Sequence, residues 1–428
     1  MIGRSFLSVL KDRRGAVAIV MAIALPVVIG AAGLGVEAGK WYMIKRQAQT
    51  AADTGAFAGA LEIAAGTSIQ ARPAAVKETT RNGFTQGGNV TVTVNIPPVS
   101  GSYAGNAQAV EVIVTQDEPL LFATFFLAEP AGIVARAVGL VTVTGNACIL
   151  STSSNASRGL QVTGSAVVQL EDCSLASNST KSDSIYFSGS STIEVPSAWS
   201  AGGIQTSGSS ATTFPVGQFS YAWPIQDPYA NLTIPVPTVC DYSAGTYSGT
   251  LTPGVYCGGM KFGSGAVATL EPGTYYIDKG DFDVGSSAIV TCSCTVAGSG
   301  VTIVLTSSGA TKDIGSVNIN AQATVTLRAP SDLTNPTKYP YPGMLFIQDK
   351  RAPSKSVNKL NGGANLSLSG ALYFPNQEVQ WSGNSSSTDC TVIVADTVTL
   401  IGNTRMTSSG CASMGLTPIT AKYPSLAE

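Results

Sequence analysis

The sequence contains no histidine and little charge: 12% of its 428 residues are Asp, Glu, Lys or Arg, against roughly 25% in ordinary soluble domains. Without histidine, neither a Ser-His-Asp nor a Cys-His arrangement can be built, and the usual near-neutral proton acceptor is missing. Carboxylate-only or lysine-based chemistry is what remains. A net charge of -2, with no basic patch after the first helix, gives nucleic acid no electrostatic footprint. Paired CxxC motifs are lacking too, which leaves zinc without its common ligand set. No cofactor is expected. Ser, Thr, Gly, Asn and Val dominate instead, the composition of an exported, strand-rich chain, long enough for two or three domains.

One long hydrophobic run is present. Gly15 to Gly35 carries no charge and has Pro26 in its middle. About 20 apolar residues at about 1.5 Å each cross the roughly 30 Å hydrocarbon core of a bilayer, and a membrane helix tolerates an internal proline. Arg4, Lys11, Arg13 and Arg14 precede the run, and the positive-inside rule keeps that flank cytoplasmic. Trp41 and Tyr42 stand where an aromatic belt meets headgroups. A retained single-pass anchor is the reading taken, with residues 1–14 as the cytoplasmic tail and everything after residue 40 across the inner membrane. A cleaved signal peptide, with a poor site at Val36-Glu37-Ala38, is the rival. Its apolar core would exceed the usual length of about 7–15 residues. Both readings export the remainder of the chain.

The eight cysteines, Cys148, Cys173, Cys240, Cys257, Cys292, Cys294, Cys390 and Cys411, all follow the anchor. An even number in an exported segment reads as disulfides. Pairing of sequence neighbours is the simplest of on the order of a hundred connectivities.

Beyond the span, residues 15–66 read as one continuous helix. Ala48, Ala51, Ala52, Ala56 and Ala60 give it a small-residue surface, to pack on its own domain or on a partner helix. A second helix is expected over 73–82, with strands at 90–94, 109–115 and 133–144. PLLFATFFL, residues 119–127, reads as a short apolar helix packed in a core, too short to span a membrane. Residues 67–145 would form a small membrane-proximal α+β domain.

The run from Asp12 to Glu62 resembles the N-terminus of TadG-like proteins of bacterial tight-adherence (Flp pilus) assembly systems. The resemblance rests on basic residues and Gly at the entry, the span, Glu37 at its exit, the aromatic pair, and Gln49–Ala60 (QTAADTGAFAGA). FATFF and the strand 133–143 also resemble that family. The resemblance implies membrane-anchored pilus assembly components as partners. It does not extend to prepilin processing, because Val20 stands where a Glu would follow Gly15, nor to a terminal DxSxS metal-binding domain.

From residue 146 to 411 short alternating runs recur roughly 20–35 residues apart between Gly/Ser/Asn turns, as in 162–170, 262–270 and 319–327. The expected fold is all-β, a right-handed parallel β-helix, with a β-sandwich as alternative. Residues 196–256, rich in Pro and carrying Trp199, Tyr221 and Trp223, read as a loop or lid over it, and 412–428 as a tail. Segments at 342–353, 369–385 and 389–403 resemble β-helical tails of other TadG-like surface proteins. Asp278, Asp281 and Asp283 are weak Ca²⁺ candidates without the spacing or closing Glu of an EF-hand. Asp349-Lys350-Arg351 is a second charged spot, and a secreted or anchored polysaccharide lyase or hydrolase is the alternative function, should Asp278, Asp281, Asp283 and a Lys or Arg converge in one cleft. The reading preferred is non-enzymatic: an assembly component or associated adhesin, whose aromatics at 196–256 either anchor that loop to the core or meet a surface polymer, carbohydrate or protein.

Overall fold

The computed structural model describes residues 16–354 and 356–428. Arg13, Arg14 and Gly15 of the expected anchor therefore lie outside the described residues. The chain divides into two compact units, Met1–Thr142 with Pro424–Glu428, and Val143–Tyr423.

The first unit is organised by α1, Ala16–Ala64. Its first half is an apolar helix long enough to cross a membrane, with its side chains turned outward. Its second half switches to a buried alanine face: Ala48, Ala51, Ala52, Ala56 and Ala60 are fully enclosed within the unit. Of the two uses open to that surface, the chain's own α2, Ser68–Arg81, and β2, Ala109–Glu118, fill it. Gly66 ends α1 in the left-handed region, with Thr67 N–H returning to Glu62 O at 2.9 Å. α2 starts ahead of Pro73 because Ala71 and Ala75, both buried, hold the first turns against α1.

The sheet is antiparallel. β1, Val90–Asn95, pairs with β2 from Val90↔Gln116 to Asn95↔Glu111, and β2 pairs with β3, Ala131–Ser151, from Ala109↔Leu140 to Glu118↔Ala131. Val110, Val112 and Val114 turn to the helices, each burial stabilising by about 1.5–3 kcal/mol. A Cβ on Gly139 would run into the Ala56 carbonyl, so this glycine lets β3 approach α1 closely. Residues 424–428, expected as a tail, join this unit: Ala427 N–H bonds to Val138 O at 2.8 Å.

The second unit is built of three ladders of strands, and the pairings described in it are parallel. Leu160–Val162 pairs with Ile185–Phe187, which pairs with Ile204–Thr206. Val167–Glu171 pairs with Thr192–Glu194, which pairs with Ala211–Thr213. Ala147–Ser151 of β3 pairs with Ser174–Ser177, then Ser197–Ser200, then Gly217–Phe219. The same alternation of ladders runs from Gly245 to Leu400. Stacking order departs from chain order: Ile393–Ala395 pairs with Ile149–Ser151, Val398–Leu400 with Leu160–Val162, and Thr404–Thr407 with Val168–Glu171. The last rows made thus close onto the first.

Residues 220–244 connect the row ending at Phe219 to the row beginning at Gly245. They lie against several rows in passing: Asn178 Nδ2 donates to Ile225 O, Tyr373 OH to Asp227 Oδ2 and Tyr341 OH to Thr233 O. The expected excursion over 196–256 is therefore too wide at both ends. Its prolines, such as Pro196, Pro215 and Pro253, flank ladder strands rather than abolish them. Trp199 is buried and stacks on Phe219 at 3.8 Å, whereas Trp223 and Tyr221 are exposed.

Aromatic side chains stack from row to row inside the unit. Phe262, Phe282, Phe346 and Phe374 follow one another at 5.5, 5.5 and 6.4 Å, all buried. Small polar side chains do likewise, with Ser174 Oγ and Ser197 Oγ 2.6 Å apart.

Candidate functional site

The most unusual constellation in the first unit lies where the apolar half of α1 ends. Glu37 sits on α1 directly after the uncharged run, yet its side chain is buried. Its carboxylate accepts three backbone N–H groups from a segment 84–86 residues away: Leu121 at 2.7 Å, Phe122 at 2.8 Å and Ala123 at 2.7 Å. Hydrogen bonds to an ionised acceptor are shorter and stronger than neutral ones. The same segment closes on itself as a 3-10 turn, Ala123–Phe125, with Phe126 and Leu127 N–H both 2.8 Å from Ala123 O.

This turn corrects the expectation of a core-packed helix at PLLFATFFL. Phe125 is 84% exposed and Phe126 74%, and Leu121 and Leu127 are also exposed. The segment is too short for a helix with a buried face, and clamping by Glu37 aims its side chains along α1 instead. Phe122, Phe125 and Phe126 face Pro26, Val27, Gly30, Ala31 and Leu34 across an open groove of about 530 Å³. A Cβ on Gly33 would collide with the Phe122 ring, so glycine there permits the approach.

A polar layer follows the clasp. Lys40 Nζ is 2.6 Å from Glu118 Oε2, and Lys45 Nζ donates to Val134 O. Tyr42 is exposed, with Arg46 over its ring, and Trp41 is half-buried. Gly35 of the expected anchor has open space around it, and Pro26 lines the groove. Further into the unit, Arg136 bridges Glu111 at 2.7 Å and Glu428 at 2.5 Å. Burial pushes the Glu111 carboxyl up, but hydrogen bonds from Asn95, Ser100, Arg136 and the Val99 N–H outweigh it and hold the group at about 2.

The acidic candidates of the second unit are engaged separately. Asp278 is buried and accepts Ser308 N–H at 2.6 Å and Ser308 Oγ at 2.7 Å. Asp281 accepts Ser316 N–H at 2.7 Å, and Asp283 lies 3.8 Å from Lys261 Nζ. Among the described residues, the one group at metal-ligand spacing is Cys240, Cys257 and Asp278, and its two sulfurs are bonded to each other. The Ca²⁺ candidates are thus not brought together. Arg351 is held by Asp349, with Nη2 to Oδ2 at 2.6 Å, beside a 150 Å³ pocket under residues 232–236.

The cysteines join as sequence neighbours, Cys148–Cys173, Cys240–Cys257, Cys292–Cys294 and Cys390–Cys411. The first and last link adjacent rows of the second unit.

The partners of Glu37 were not legible from sequence. An acidic residue at the exit of an apolar run was visible, and so was a short segment with three phenylalanines between Pro119 and Pro130. Nothing local joins them.

Residues 15–64, which hold the apolar run, Glu37 and the alanine face, match a family model described as putative Flp pilus-assembly TadE/G-like. Comparison with curated proteins and with solved structures finds no match.

Proposed function

We propose that this chain is a membrane-anchored structural component of a bacterial tight-adherence (Flp) pilus assembly system, not an enzyme. The observation that carries the reading is the coincidence of the TadE/G-like match with the whole of α1, from the apolar run through Glu37 to the alanine face. In this reading α1 crosses the inner membrane once with the basic flank in the cytoplasm, and residues beyond it are exported. Disulfide-bonded cysteines in the second unit accord with an oxidising compartment.

The second unit is a parallel β-helix of the usual right-handed sense, for which the parallel ladders speak, and against a sandwich of antiparallel sheets. It serves as a disulfide-stapled rod presented by the anchored unit, and as an adhesive surface associated with the pilus. The exposed Tyr221 and Trp223 on the 220–244 connection are where a surface polymer would be met.

Deletion of the gene in its bacterium should abolish or sharply reduce surface pili seen by electron microscopy. The intact chain should restore them, and a chain lacking residues 143–423 should restore assembly without adhesion. Unchanged piliation after deletion would contradict the reading.

A further inference from the structure

We propose that the phenylalanine turn, residues 121–127, is a second membrane-inserted element whose occupant partner is the acyl region of the phospholipid bilayer. The inference rests on the anchor reading of α1 given above and adds a site to it.

Depth carries the argument. Phe122, Phe125 and Phe126 lie beside Pro26 to Leu34 of α1. Pro26 is eleven residues before Glu37, which at about 1.5 Å per residue places it about 16 Å below the clasp. That is about half of a hydrocarbon core of roughly 30 Å. If α1 spans the membrane, side chains at this level are beside lipid, not water. Their outward faces are bare: Phe125 and Phe126 are the most exposed aromatics of the turn, at 84% and 74%.

Backbone chemistry makes the position tenable. Non-helical backbone at hydrocarbon depth is tolerated only where it is sheltered by protein and its polar groups find partners, and here α1 covers one side of the turn. Glu37 takes the N–H groups of Leu121, Phe122 and Ala123, and the turn's own carbonyls take those of Phe125, Phe126 and Leu127. The clasp thus acts as an acceptor plug that lets a loop enter the leaflet. The Lys40–Glu118 pair and Tyr42 follow at headgroup level, continuous with the aromatic edge of the span. The groove between turn and helix is lined by Pro, Val, Gly, Ala, Leu and Phe, and an acyl chain matches that lining.

The test places the photo-crosslinker p-benzoylphenylalanine at Phe125, and separately at Phe126, in the full chain in native membranes. Val20, exposed within the span, is the positive control, and Val99, exposed elsewhere in the first unit, is the negative control. Mass spectrometry reads the adducts. Lipid adducts at Phe125, Phe126 and Val20 but not Val99 are expected, with at least tenfold more lipid at Phe125 than at Val99. Lipid at Val20 without lipid at Phe125 and Phe126 would overturn the insertion while leaving the anchor. Adducts to a second copy or another polypeptide in place of lipid would overturn it in favour of a protein interface. Failure to capture lipid at Val20 would overturn the anchor reading, and the insertion with it.

Discussion

Glu37 is the residue on which most of the first unit's unusual geometry turns. It accepts three N–H groups at 2.7–2.8 Å and so ties the 121–123 backbone to α1. Glu37→Ala should therefore free the turn. Amide exchange at Leu121, Phe122 and Ala123 should accelerate at least about tenfold, since each N–H loses its charged acceptor. Glu37→Gln, which keeps one acceptor oxygen, should show a smaller increase. Hydrogen exchange read by mass spectrometry in lipid nanodiscs checks both. Glu111 gives a second prediction at this scale. Its carboxyl is held at about 2 in the folded chain, below its ordinary 4.5, so it stabilises the fold fully above pH 4.5. That stabilisation is lost as pH falls from 4.5 toward 2. Thermal unfolding followed across this window should show a smaller acid loss in Glu111→Gln, which starts from a lower stability at neutral pH.

At the scale of elements, the ladders of the second unit depend on side chains stacked from row to row. Phe282 is buried with Phe262 and Phe346 each 5.5 Å away. Phe282→Ala should cost about 3–5 kcal/mol, and Phe282→Leu markedly less, in denaturant unfolding of the whole chain. Replacing Cys148 and Cys173 together by Ser should cost about 3 kcal/mol, because the bond closes a loop of 25 residues between adjacent rows. Much of this architecture was legible. The apolar run, the alanine face and the period-two strands each have a local cause, and α1, β1, β2 and the repeated strands follow from them. Three features were not. PLLFATFFL reads as core because apolarity says that a segment leaves water but not what it lies against. The width of the 196–256 excursion was overdrawn because short strands of Ser, Gly and Thr between prolines carry little apolar signal. The closure of Ile393–Thr407 onto Ile149–Glu171 joins residues more than 200 apart in sequence, so no local pattern encodes it.

For the whole molecule, the proposed reading is one topology: a short basic flank inside, and the disulfide-bonded unit outside the cytoplasm. Asp278, Asp281 and Asp283 each engage a different neighbour. Protease protection in spheroplasts tests this topology most directly, using a chain with an epitope tag on the cytoplasmic flank. External protease should degrade the second unit after reduction and leave a small tagged fragment, holding the span, in the membrane. A full-length tagged chain that is cut only after the cells are lysed would contradict it, as would loss of the tag on intact spheroplasts.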